Sequence, residues 1–170
     1  FLESVNAMNF MAEAKAYEGE MRAFFEDLHR HPEPSHFEKR TNARIREQLA
    51  AHGIEMLCPA DNITIAVIHG ARPGKTIGMR FDTDALQMQE LCDVPYKSEQ
   101  DGLMHGCGHD AHTTCGVFVA RLLQAHRDEL CGTYKIIFQP AEEGEHGADE
   151  VIATGLVSDV DAFFGLHVWS

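Results

Sequence analysis

Nine consecutive residues, Met104-His105-Gly106-Cys107-Gly108-His109-Asp110-Ala111-His112, bring together one thiol, three imidazoles and a carboxylate, with two glycines between them. Thiolate, imidazole and carboxylate are the ligand types that hold zinc-like divalent cations. Cys107 and His109 stand two residues apart, and the flanking glycines let the backbone fold so that both reach one centre. Two more segments carry such ligands: Glu142-Glu143 after the run Ile-Ile-Phe-Gln-Pro-Ala, and His167 after Ala-Phe-Phe-Gly-Leu. A lone His or Cys is usually structural. Three ligand-bearing segments, the later two each following an apolar run, make the metal reading the stronger one.

Adjacent carboxylates can divide the work. One binds metal; the other accepts a proton from an attacking water that the metal acidifies. The competing reading of Glu142 and Glu143 is a solvated acidic turn, since Glu145, Asp149 and Glu150 follow. Asp82-Thr83-Asp84 puts two carboxylates on alternate sides of an extended chain, where one can orient a liganding histidine. Asp82 reads equally well as a capping or turn aspartate. His112 reads as a polar residue of the site or as an early residue of a helix. His29, His31, His36, His52, His69 and His126 have no metal-like context and read as surface or packing residues.

These groups need a scaffold. Met11, Ala14, Met21, Phe24, Phe25 and Leu28 fall near helical spacing and predict one helix over about 8–31, broken at His31-Pro32-Glu33-Pro34. A second amphipathic helix is expected from about Phe37 to His52, closed by Gly53. Strands are expected over 63–68 and 76–81, separated by the turn signal Arg72-Pro73-Gly74, and again over 134–138 and 162–166. Residues 82–108 read as a long polar loop, and loops of that length in a compact domain are commonly functional. Helices are expected over about 110–126 and 147–154. Strands alternating with helices predict an α/β sandwich around a largely parallel sheet. Asp82, Asp84, Glu142, Glu143 and His167 each follow a strand, where such folds bind ligands.

Composition narrows the function classes. The 170 residues are one domain's worth, and 44% hydrophobic content is ordinary for a globular chain. A net charge of −13 argues against nucleic acid and anionic membrane surfaces as partners. No stretch approaches transmembrane length and no signal layout opens the chain, so a cytoplasmic protein is expected. Cys58, Cys92, Cys107, Cys115 and Cys131 are scattered and odd in number, which suggests no disulfide framework. Four of them read as buried or incidental thiols; only Cys107 has a liganding context.

Taken together, the sequence resembles the zinc-dependent amidohydrolases that include hippurate hydrolase, the indole-acetyl-amino-acid hydrolases and bacterial aminoacylase/carboxypeptidase enzymes. The matching stretches are Asp27-Leu28-His29-Arg30-His31-Pro32-Glu33, Arg80-Phe81-Asp82-Thr83-Asp84-Ala85-Leu86, Pro95-Tyr96-Lys97-Ser98, the Met104–His112 run, Phe138-Gln139-Pro140-Ala141-Glu142-Glu143-Gly144, and residues 159–167. They stand in the family's order and cover nearly the whole chain. Gln87 departs from the pattern, which commonly has proline there.

The resemblance implies a three-layer α/β sandwich with a largely parallel mixed sheet, of the zinc-exopeptidase type. It implies two divalent ions, with zinc, manganese, cobalt and nickel all suited to the ligands. Cys107, His109, Glu143 and His167 are implied as metal ligands, Glu142 as general base, and Asp84 as the carboxylate that orients the site. The implied reaction is hydrolysis of the amide in N-acyl amino acids or peptide-like conjugates. Family members are usually more than twice this long, so residues 1–170 read as the N-terminal part of the catalytic domain. A satellite domain, through which a homo-oligomer could form, and a returning segment with another metal-binding histidine would be absent. The alternative is a non-catalytic fragment that binds metal weakly or needs another chain, with a strand edge and apolar surface left open around Phe163, Phe164 and Trp169.

Overall fold

The computed structural model describes residues 10–144 and 146–167. The expected helix start at Met8 and the apolar Trp169 lie outside the described residues. The first helical stretch is divided into α1 (Phe10–Ala16) and α2 (Glu18–Arg30). The break falls at Tyr17, whose ring packs against Phe118, with centroids 5.8 Å apart, and beneath the Arg121 guanidinium. That long-range anchor turns the chain where helical periodicity alone predicts continuation.

The His-Pro-Glu-Pro segment ends α2 and prepares the next helix. The Glu33 carboxylate accepts hydrogen bonds from the amides of Arg40 (2.9 Å) and Thr41 (2.7 Å), satisfying donors that a helix start leaves open. Helix α3 (Lys39–Ala51) therefore begins slightly later than expected, and it buries Ile45 and Leu49. Asp27 on α2 ties the two helices by accepting from Arg40 (2.8 Å) and Arg44 (2.9 Å).

Burial works to raise the Asp27 pKa, but the two guanidinium groups outweigh it and hold the carboxyl below its usual 3.8. A lowered folded pKa gives stabilisation that is complete above the unfolded value and lost as pH falls through the folded one. Asp27→Asn is expected to cost about 1–2 kcal/mol at neutral pH. In denaturant titrations its gap from the unsubstituted chain should narrow below about pH 4.

Five strands follow: β1 (Glu55–Ala60), β2 (Ile63–His69), β3 (Arg72–Asp82), β4 (Cys131–Gln139) and β5 (Ala162–Gly165). Helix α4 (His109–Ala125) lies between β3 and β4, and α5 (Gly147–Ala153) between β4 and β5. The sheet order is β1-β2-β4-β3-β5. β4 pairs parallel with β3, and β3 with β5, while β2 runs antiparallel to both β1 and β4. Four of the five strands thus point the same way.

β1 has no clear signal in the sequence. It is an exposed edge strand containing Pro59, which an edge tolerates because its outer amides need no ladder partner. The expected turn at Arg72-Pro73-Gly74 lies within the start of β3, where pairing with β4 is irregular between Arg72 and Thr76. β2 and β3 are not neighbours, because β4 inserts between them.

The sheet has two packed faces. On one, α2, α3 and α4 bury Phe24, Leu28, Leu49 and Val117 against Ala66, Ile68, Ile136 and Phe138. Gly116 permits a close approach of α4 to the sheet: a Cβ there would sit 2.8 Å from both Phe138 and Phe81. The opposite face packs Ile65, Val67 and Ile137 against Val151 of α5 and Val157. This is a three-layer arrangement with a thin third layer, and Phe163, Phe164 and Leu166 around β5 are exposed. Among the described residues no helix is long and apolar enough to cross a membrane. Cys58, Cys92, Cys115 and Cys131 are exposed free thiols, not buried ones, so they contribute nothing to the core.

Candidate metal centre

The parallel strands β3, β4 and β5 all end at one rim. Asp82 is the last residue of β3 and Asp84 follows two positions later; Glu142 and Glu143 come just after β4; His167 comes two residues after β5. Helix α4 starts at the same rim with His109. Gly108 adopts φ +82°, a left-handed conformation open to glycine, and so reverses the chain between Cys107 and His109.

The liganding atoms converge. Cys107 Sγ lies 3.4 Å from His167 Nε2, which lies 3.4 Å from His109 Nε2. His109 Nε2 is also 3.7 Å from Glu142 Oε2 and 4.0 Å from Glu143 Oε1. Two sets of potential ligands result, Cys107–His109–His167 and His109–Glu142–Glu143, each with all its atoms within 4.8 Å of one another. Two ligands at zinc-like bond lengths and a tetrahedral angle lie about 3.3–3.6 Å apart. The thiol–imidazole and imidazole–imidazole distances match that spacing. Burial, with the Glu143 carboxylate beside it, pushes the Cys107 thiol up to about 12. A coordinated cation reverses that balance and takes the thiolate.

A layer of buried carboxylates sits beneath. The Nδ1–H of fully buried His109 donates to the Asp84 backbone carbonyl (2.8 Å) and lies 3.2 Å from its Oδ1, leaving Nε2 for the centre. The Asp84 carboxylate also accepts from Ser35 Oγ (2.6 Å) and from the amides of Glu142 and Glu143 (3.0 Å each). Burial opposes ionisation, but these donors outweigh it and hold Asp84 at about 2. One carboxylate thus orients a candidate ligand and the turn carrying two others.

Asp82 is neither a cap nor a turn residue. It is buried at the strand end, accepts from His112 Nδ1, pairs with Arg80 (2.6 Å) and lies 3.7 Å from His109 Nε2. Burial works to raise its pKa, and His112, His109 and Arg80 together bring it low. His112 satisfies both readings of it: it lies in the first turn of α4 and its ring stands 6.1 Å from that of His167.

Several supporting residues escape sequence reasoning. Ser35 and Glu38 follow the Pro-rich break, and nothing but their place beside a matched stretch marks them. Glu38 is completely buried, and its Oε1 accepts from the amides of His36 (3.1 Å) and Ala141 (2.7 Å). Ala141 has φ +49°, which costs an L-residue roughly 1–2 kcal/mol. Burial raises the Glu38 pKa, and the hydrogen bond that the Ala141 amide donates to its carboxyl contributes about 0.5–1.5 kcal/mol, comparable with that cost. His29, read as a packing residue, bridges Asp110 of α4 (2.6 Å) and Glu90 of the long loop (3.2 Å). The Asp110 hydrogen bond raises the His29 pKa against the effect of burial. Glu90 in turn accepts from the Ser98 amide, so this network fastens the loop over 83–108 to the helix bearing His109.

Comparison with known proteins fits this geometry. The chain is 43% identical over 155 residues to an N-acetylcysteine deacetylase of Bacillus subtilis, covering 90% of this chain and 41% of that protein. It is 40% identical over 141 residues to an IAA-amino acid hydrolase of Arabidopsis thaliana, covering 83% of this chain and 32% of that one. Among solved structures, the YXEP protein of Bacillus subtilis, described as a dinuclear metal binding peptidase, superposes with TM-score 0.88 at 42% identity, covering 91% of this chain and 44% of that one. A putative aminohydrolase of Staphylococcus aureus superposes with TM-score 0.90 at 35% identity, covering 95% and 44%. The chain therefore spans about a third to somewhat over two fifths of the length of these relatives. The family model for peptidase family M20/M25/M40 matches residues 78–170, the stretch that carries Asp84, Cys107, His109, both glutamates and His167. More than half of the chain, including every residue of the ligand cluster, falls within that match, and the chain belongs to peptidase family M20/M25/M40.

Proposed function

We propose that residues 1–170 form the N-terminal part of a metal-dependent catalytic domain that hydrolyses the amide bond of N-acyl amino acids or related conjugates. One observation carries the reading: two overlapping ligand sets share His109 beside a partly exposed carboxylate. The relatives support the substrate class, one being a deacetylase of N-acetylcysteine and another a hydrolase of IAA-amino acids.

In this proposal Cys107, His109, Glu143 and His167 hold two divalent ions, of which zinc, manganese, cobalt and nickel all suit the donors. Bound, such ions supply Lewis acidity at the scissile carbonyl. Asp84 keeps His109 in the tautomer that offers Nε2 and fixes the glutamate turn. Glu142, its side chain 36% exposed at the rim, accepts the proton of the attacking water and passes it to the leaving amine. A satellite domain and a returning segment would complete the site, cover the apolar surface around β5 and provide any homo-oligomer contact. The free cysteines suit a cytoplasmic setting.

The test uses the whole protein, stripped with chelator and reloaded with single metals, against a panel of N-acyl amino acids. Hydrolysis that disappears with the chelator and returns with metal is expected. The 170-residue chain alone should show no appreciable turnover. A metal-loaded whole protein that cleaves none of the panel would overturn the substrate class, and turnover by the short chain would show that the site needs nothing more.

A further inference from the structure

We infer that Glu38 is a positioning residue, which sets the direction of the Glu142–Glu143 pair by holding Ala141 in a left-handed backbone conformation. Glu38 stands at the start of α3, 103 positions from Ala141 in sequence, and is wholly buried. Its single oxygen Oε1 accepts from two amides, those of His36 and Ala141. Both residues have positive φ, +70° and +49°, and neither is glycine. L-residues avoid that region by roughly tenfold or more in population, so such a conformation persists only where its surroundings enforce it.

The position of Ala141 makes the enforcement consequential. Pro140 has its φ locked by its ring, so the freedom to turn the chain lies at the next residue. With Ala141 left-handed, three successive amides point inward: Ala141 to Glu38, then Glu142 and Glu143 to the two oxygens of Asp84. Successive amides gathered on buried carboxylates leave the glutamate side chains to the rim, where they meet His109 Nε2. Asp84 cannot supply the missing contact, because its oxygens already serve Ser35, His109 and the two following amides. Were Ala141 to relax to negative φ, the peptide joining it to Glu142 would rotate, and the Glu142 amide would leave Asp84.

The meaning of this for metal binding rests on the roles proposed above for the two glutamates; the conformational claim does not. It is tested by residue-resolved amide hydrogen exchange on the metal-free chain, comparing Glu38→Gln, Glu38→Ala and Glu38→Ala combined with Ala141→Gly. Glu38→Ala is expected to speed exchange about tenfold or more at positions 141, 142 and 143, beyond any change at Ile136 and Ile137 in β4. Glu38→Gln, which retains the accepting oxygen, should stay within about threefold of the unsubstituted chain. Adding Ala141→Gly removes the steric penalty of positive φ and should return positions 142 and 143 close to their original rates, with position 141 still fast. Faster exchange at position 141 alone, a uniform rise through β4, or no rescue by Ala141→Gly would each overturn the inference. If Glu38→Ala does not fold, recovery of folding by Ala141→Gly supports it, and a double variant that stays unfolded overturns it.

Discussion

Glu142→Gln in the whole protein is expected to keep its metal and lose about a hundredfold or more in turnover. The amide preserves the shape of the side chain but cannot take up a proton, and a hundredfold loss corresponds to about 2.7 kcal/mol of barrier. The backbone of Glu142 is held by Asp84, so the turn survives the change. The measurement pairs kcat/KM with metal content. It also separates the two glutamates: both carboxylates lie within ligand distance of His109, and a variant that lost metal would make Glu142 a ligand instead of a base. An unchanged rate would move the proton transfer to another group.

Asp84→Asn is expected to destabilise the metal-free chain by about 2–4 kcal/mol at neutral pH. Asparagine offers one accepting oxygen where the carboxylate offers two. Its amide nitrogen would confront donors at the Glu142 and Glu143 amides, Ser35 Oγ or His109 Nδ1. The pH dependence follows from the folded pKa of about 2 against the usual 3.8. A depressed folded value gives about 2–3 kcal/mol of stabilisation that is present above pH 4 and lost as pH falls toward 2. Denaturant titrations with chelator present should show the substituted and unsubstituted chains converging over that window. A constant gap would mean that Asp84 acts through packing and not through its charge.

The residues that could do chemistry were legible because their types and local spacing are themselves the signal. Cys107 and His109 are close in sequence, and Glu142, Glu143 and His167 sit where apolar runs stop. The helices and the strands β2, β3, β4 and β5 were legible from periodicity. β1 was not, because an exposed edge strand with a proline has neither the alternation nor the β-branched content that marks a strand. The break at Tyr17 was hidden for another reason: its cause is the packing of that ring on Phe118 and Arg121, about a hundred residues away.

By itself the sequence determined which ligand types exist, their order along the chain and the α/β class, since these depend on side-chain chemistry and short-range pattern. Only the tertiary structure decided that β4 inserts between β2 and β3, which sets the ends of β3, β4 and β5 side by side. It alone decided that His109 belongs to both ligand sets, that both oxygens of Asp84 are committed to the glutamate turn, and that Glu38 reaches Ala141. Those relations join residues tens of positions apart through buried hydrogen bonds. Their strength comes from exclusion of water once the layers have packed, and no local window of sequence contains it.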